Sequence, residues 1–236
     1  RKMSLQVVQP GHQLGRPSLP NATYNDDIFI GWLGIGSQLD GLGHIGGPDG
    51  MYYNCNDARD FAEITGLTRL GTHTVPPMVA RGVVLDMASH KGVAFMKAGE
   101  CFTVEDVKAV EKKQGTPIRE GDVVLFHTGW TDAKLASDPQ SWVAGEPSQS
   151  EEVARYLASK NVVAVGADTW GVDVIPSPDP ERPFQGHVIL LKEHGIYLLE
   201  TMNTGQLVRD EAFEFLFVLG QAKVRGAVQM LINPVA

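Results

Sequence analysis

Cysteine is scarce in this chain. Its 236 residues include two, Cys55 and Cys101, and no C-x-x-C pair. That excludes a disulfide scaffold and a thiolate zinc site, and both thiols are expected to be small, semi-buried residues. Basic clusters are missing too. Lys and Arg total 20 against 28 Asp and Glu, a formal net charge of −8. Without a basic stripe, nucleic acid is not an expected partner. No apolar run is long enough to span a bilayer, so no membrane partner is expected either. No apolar leader follows Arg1-Lys2-Met3. No signal peptide is read there, and the expected location is the cytoplasm. Internal repeats, low-complexity tracts and a clear domain boundary are also absent. What remains is an ordinary globular composition, 43% hydrophobic and 20% charged. It is read as one domain over residues 1–236, with a loop-rich N-terminal segment over 1–25.

The chemistry concentrates in one stretch, Gly36-Ser37-Gln38-Leu39-Asp40-Gly41-Leu42-Gly43-His44. Gln38 and Asp40 are two apart, so in an extended strand both side chains point to one face. His44 follows past Gly41 and Gly43, which allow a sharp turn. The apolar run 27–33 reads as a strand leading into this turn. A carboxylate, an amide oxygen and an imidazole converging at a strand end can hold a divalent metal and its water. The same spacing also fits a Gly-rich turn with a solvated Asp and a hydrogen-bonded His.

The other signals alternate helix and strand. Residues 9–24 carry the Pro, Gly and Asn of a loop, with His12 as a solvated loop residue. Tyr52 and Tyr53 follow a turn and offer a pocket wall and a hydroxyl. Residues 56–65 read as a short helix capped by Asn56 or Asp57. Residues 83–87 read as a buried strand. Thr103 opens a helix with Val104, Val107 and Val110 on one face. Residues 121–130 read as a strand in which His127 is a hydrogen-bonded core residue. Residues 131–147 read as a loop, and Ser148 to Lys160 as a helix. The apolar run 162–168 follows as a central strand. Asp168, Trp170 and Asp173 end it, where ligands gather in α/β sheets. His187 starts a short helix or strand, and Glu200 ends the next apolar run. His194 reads as a helix C-terminal residue. Residues 213–219 and 224–232 are strand-like and able to pair in the core sheet. Chain order alone supports α/β or α+β in one domain.

The order of these signals resembles the metal-dependent cyclase family, which includes kynurenine formamidases, isatin hydrolases and related lactone or amide hydrolases. The resemblance covers roughly residues 28–235. It rests on Gly36-Ser37-Gln38-x-Asp40-x-x-x-His44, on Leu125-x-x-Thr128-Gly129-Trp130, on Gly171-Val172-Asp173, and on His187 followed by Glu200. The family's first motif normally reads H-x-G-T-H-x-D-x-x-x-H. Here Gly34 stands for the first His, Ser37 for Thr and Gln38 for the second His. Two imidazoles that would hold one metal are therefore absent, whereas Asp40, His187 and Glu200 match the positions that hold the other in two-metal members.

The resemblance implies a mixed α+β fold, a single β/β/α swivelling-type domain with a central mixed sheet and outer helices. It implies one divalent ion, Mn(II) or Zn(II), held by Asp40, His187 and Glu200. Gln38 would add a weak oxygen ligand or bond the water. His44 would be the general base and then protonate the leaving group. Tyr52, Tyr53, Trp130 and Trp170 are candidate walls of the substrate pocket. The expected activity is hydrolysis of a C–N or C–O bond in a lactone, cyclic amide or N-formyl substrate, by a homodimer or homotetramer. Kynurenine formamidase (arylformamidase) activity is the alternative within the enzyme class. A non-catalytic binding protein with a degraded metal site, or a subunit devoted to assembly, are the alternatives outside it.

Overall fold

The computed structural model describes residues 2–8 and 25–236. The reading of residues 9–24, His12 included, lies outside the described residues. The core is a seven-stranded mixed sheet. From one edge to the other its strands are Glu214–Leu219, Met78–Asp86, Val123–His127, Ala164–Ala167, Tyr197–Glu200, Gln38–Asp40 and Gln229–Leu231. The strands from Met78–Asp86 to Tyr197–Glu200 run parallel, and antiparallel strands finish both sides. This is the α/β arrangement with a central mixed sheet expected from the sequence.

Strand alternation sorts the core into two layers. Val83, Leu85, Val124, Phe126, Val165, Ala167 and Leu198 face one layer, and Val84, Val123, Leu125, Ala164 and Leu199 the other. Helices cover the first layer. Val104–Gln114 buries Val107 and Val110, and Glu151–Ser159 buries Val153, Ala154 and Leu157. The first has a full capping box, with Thr103 and Asp106 each bonding the other's backbone amide. It stops at Gly115, whose φ of 72° suits a residue without Cβ. The second is capped by Ser150. On the same layer a short helical turn, Gln185–His187, continues into the π-helix Val188–Glu193, with His194 as its cap.

Several expectations need correction. Within residues 56–65 helix is found only at Ala58–Phe61, capped by Asp57. Beyond it Ala62–Glu63 turns back on Gly66–Leu67 and leaves Ile64 fully exposed, the reversal using Gly66 at a φ of 124° that favours glycine. The stretch 131–147 is not all loop. It contains Trp130–Lys134 and Pro139–Ala144, the latter started by an Asp138 cap and a proline at its first position. The N-terminal segment is not loop throughout: Met3–Val8 is a strand, paired antiparallel with Asp26–Gly31 in a ribbon separate from the core sheet. Cys55 and Cys101 are exposed rather than semi-buried.

Candidate metal centre

Register places the site. Asp40 lies opposite Leu198 and Gln229, and Gln38 opposite Glu200. Residues paired across strands share a face, so Gln38, Asp40, Glu200 and Gln229 all project toward the helical layer. Leu39 and Leu199, one residue out of phase, sit in the opposite layer. The turn after Asp40 returns His44 to the same point, and the helical turn Gln185–His187 lowers His187 onto it.

The distances are short. His187 Nε2 stands 3.7 Å from Asp40 Oδ2 and 3.2 Å from Glu200 Oε1. His44 Nε2 is 3.7 Å from Asp40 Oδ2. Gln229 Nε2 donates to Asp40 Oδ1 at 2.7 Å. Gln38 Nε2 donates to the same oxygen at 3.4 Å and also to Glu200 Oε2. Gln38 thus ties two carboxylates together through its nitrogen.

On its far side His187 is fixed by Asp173. The Nδ1–Oδ2 distance is 2.5 Å, and Asp173 also accepts from the backbone N–H of Gly186 at 2.7 Å and of His187 at 3.0 Å. This requires a glycine at 186, since a Cβ there would lie 2.6 Å from Asp173 Oδ1. Phe184 packs edge-on against the His187 ring at 5.7 Å.

Burial would push the His187 imidazole toward neutrality. Hydrogen bonds to Asp173 and Glu200 and the nearby Asp40 carboxylate outweigh it and hold His187 well above the usual histidine range. Burial alone would raise Asp40, but the close His187 imidazole and the charges of His44 and His187 hold it below the ordinary carboxylate range. Asp173 is lowered against its burial in the same way by His187.

A divalent ion fits these residues. Ligands at about 2.0–2.2 Å around a tetrahedral ion lie about 3.3–3.6 Å apart, close to the 3.7 Å from His187 to Asp40 and the 3.2 Å from His187 to Glu200. Asp40 Oδ2 is fully buried and makes no hydrogen bond. A buried carboxylate oxygen with no donor is costly unless a cation completes it. Asp40, His44 and His187 each offer a ligand atom within 4.8 Å of the others.

The sequence-predicted residues thus divide. Gln38, Asp40, His44, His187 and Glu200 meet. Tyr52 packs edge-on against Phe61 at 5.2 Å, and Tyr53 lies over Gly195. Trp130 is buried against Phe95, its Nε1 directed to the Trp142 carbonyl at 3.4 Å. Trp170 borders the cluster through its neighbour Gly171, where a Cβ would lie 3.7 Å from Glu200 Oε1. His127 is the hydrogen-bonded core residue expected, paired with Thr204 at 2.8 Å.

Three functional neighbours were not singled out from sequence: Asp173 as the partner of His187, Gln229 and Glu146. Glu146 is fully buried, with Oε2 accepting from Gly171 N–H at 3.0 Å and Oε1 without a partner. Burial, offset in part by that amide and reinforced by the Glu200 charge, pushes it well above the usual carboxylate range. It lies in a polar stretch between Gly145 and Pro147, where no periodicity distinguishes it.

The family model described as "Putative cyclase" matches residues 9–174. The chain belongs to the cyclase family. Asp40 and His44 lie within the matched residues, His187 and Glu200 beyond them. Among curated proteins none matches this cyclase. Its fold is similar to that of a crystal structure described as a novel cyclase, at 22% identity and TM-score 0.86, over 98% of this chain and 78% of that one. It is also similar to an isatin hydrolase bound to the product analogue thioisatinate, at 18% identity and TM-score 0.71, over 99% and 80%. Isatin hydrolase A from Ralstonia solanacearum matches at 19% identity and TM-score 0.69, over 98% and 80%. At these identities the likeness is one of fold.

Proposed function

We infer that this cyclase-family chain is a metal-dependent hydrolase that opens a C–N or C–O bond in a lactone, cyclic amide or N-formyl substrate. The observation behind this reading is a buried Asp40 carboxylate oxygen without a hydrogen-bond donor, 3.7 Å from Nε2 of both His187 and His44, with Glu200 3.2 Å from the same His187 nitrogen. Asp40, His187 and Glu200 would hold one divalent ion. Mostly oxygen ligands with a single imidazole suit Mn(II) as well as Zn(II). Such an ion supplies Lewis-acid polarisation of a carbonyl and acidifies water.

The chain's own groups do the rest. Asp173 keeps His187 Nδ1 occupied and so directs Nε2 inward. Gln38 and Gln229 fix the carboxylates. His44 has a side chain 22% exposed and is the imidazole of the cluster open to solvent. It takes a proton from the attacking water and returns it to the leaving group.

A cavity of about 830 Å³ supports a small-molecule substrate with an apolar part. Met3, Ile30, Trp32, Leu33 and Val228 line it, and it reaches Gln229, the residue that bonds Asp40. The ribbon beside it leaves Leu5, Val7, Ile30 and Trp32 more than half exposed. That apolar surface supports association with a second copy of the chain.

The test is metal analysis of purified protein, then a panel of lactones, isatin and N-formylkynurenine with added Mn(II) or Zn(II). Stoichiometric metal, removed by EDTA together with turnover of a panel member, is the expected result. Turnover confined to N-formylkynurenine would make the chain a formamidase. The second reading, a binding protein on this scaffold, is favoured by the Gln38 amide that already bridges Asp40 and Glu200. Absence of bound metal together with absence of turnover would establish it.

A further inference from the structure

One residue joins the cavity beside the ribbon to the metal-site cluster. Gln229 is half-buried and lines that cavity of about 830 Å³. Its side-chain amide has one possible orientation. Nε2 donates to Asp40 Oδ1 at 2.7 Å, and a carboxylate oxygen has no proton to give, so nitrogen and not oxygen faces Asp40. The same Nε2 stands 3.5 Å from His44 Nε2. The amide oxygen is left over. Among the described residues Oε1 has no hydrogen-bond partner, and unlike Oδ2 of Asp40 it is not sealed from solvent. The cavity therefore carries a fixed acceptor beside the imidazole that moves the proton.

A polar atom held in place in a pocket separates ligands that can pair with it from those that cannot. A cyclic amide and a lactone of one ring size have nearly the same shape and differ at one atom. In the ring amide C=O and N–H lie on the same edge. In the lactone an oxygen that only accepts replaces the N–H. Against Gln229 the first forms a hydrogen bond. The second sets lone pairs against Oε1 and strips its water without replacing it. An open-chain amide in the usual trans form also fails, because its C=O and N–H point to opposite edges.

We propose that Gln229 is the specificity-determining residue of this site, accepting the N–H of a cyclic amide through Oε1 and so favouring lactams over lactones. This rests on the reading of the cavity as the substrate site. The N–H bond lies in the amide plane, which leaves the nitrogen lone pair free above it and close to His44. The water oxygen bonds the carbonyl carbon, and the C–N bond breaks with its electron pair on nitrogen. Nitrogen then takes the proton that His44 removed from the water, giving a carboxylic acid and an amine in one opened molecule.

The probes are isoindolin-1-one, a lactam, and phthalide, the lactone of the same size and shape. Each is titrated into the full methyl-labelled chain without added metal and followed by two-dimensional NMR. Isoindolin-1-one shifts the Val228 methyl signals with a Kd of about 0.1–10 mM, the range for a ligand of ten heavy atoms. Phthalide binds about tenfold more weakly or worse. N-methylisoindolin-1-one, which has no N–H, binds as weakly as phthalide, a comparison made on the unaltered chain. Gln229→Leu brings the lactam and the lactone within about threefold of each other. Gln229→Lys does the same while keeping a donor for Asp40, which separates the acceptor from the support of the carboxylate. On the metal-loaded chain, the ratio of kcat/KM for isatin to that for a lactone falls about tenfold in Gln229→Lys. Equal binding of isoindolin-1-one and phthalide would overturn the proposal. So would full-strength binding of the N-methyl compound, a preference that survives in both variants, or no shift at Val228 up to about 50 mM. Selective binding without turnover of any lactam would support the Gln229 contact and count against hydrolysis alone. Turnover without discrimination would keep the hydrolase and overturn the role of Gln229.

Discussion

Asp173 Oδ2 and His187 Nδ1 lie 2.5 Å apart, and that contact sets the direction in which the imidazole faces the centre. With Nδ1 occupied, Nε2 is left for Asp40, Glu200 or an ion. Asp173→Asn keeps one oxygen, which can serve either the Gly186 N–H or the His187 groups, and removes the charge behind the ring. Its Mn(II) or Zn(II) affinity should fall about 10- to 100-fold, the usual effect of losing such a supporting carboxylate. Isothermal titration against wild type measures it. Equal affinity would show that the imidazole needs no anchor.

Metal uptake should release a proton. In the metal-free chain burial opposes the His187 charge, but Asp173, Asp40 and Glu200 outweigh burial and favour the protonated ring. The raised value means that His187 stabilises the metal-free fold fully below about pH 6.5 and that this contribution fades as pH rises through the folded value. An ion must displace that proton, so affinity rises with pH across neutrality. Titrations in buffers of different ionisation enthalpy count the proton. His187→Gln should abolish the release.

His44→Ala should leave metal content unchanged while turnover of any panel substrate falls by about two to four orders of magnitude, the usual share of a general acid–base group. Metal analysis and initial rates on one preparation give both numbers. Turnover within a few-fold of wild type would assign the proton transfer to another group.

Glu146→Gln separates burial from charge at the edge of the centre. Burial first, then the Glu200 charge, raises the Glu146 carboxyl, so the native state keeps a proton that the unfolded state gives up. Stability of the metal-free protein therefore declines as pH rises from about 4.3 through the raised value. The neutral glutamine removes that slope. Urea unfolding at pH 5 and pH 8 should show a larger advantage for the variant at the higher pH. An equal difference at both would mean that the carboxyl is already ionised.

The parts of the fold visible in the sequence were those with local causes. The Thr103 cap, the valine period after it and the stop at Gly115 fix one helix within a dozen residues. The run 162–167 has no polar side chain to expose, so only a central strand can house it. The ribbon's pairing and the Asp138-Pro139 start inside a polar stretch were missed, because tertiary packing decides the first and a weak cap signal the second. The site was legible as a set of residue types matching a family order. Its supports were not. Gln229 meets Asp40 only through strand register across 189 positions, and Glu146 reaches the centre from a stretch with no pattern of its own.

The order in which the chain leaves the ribosome gives that register a further meaning. Gln38 waits for Glu200, 162 residues later, before its amide has that partner. The nascent polypeptide holds Asp40 and His44 long before the other half of the cluster is made. Capture of an ion at full strength therefore belongs to the finished molecule, and a truncated product lacking the last third of the chain would pass through a metal-rich compartment without retaining any.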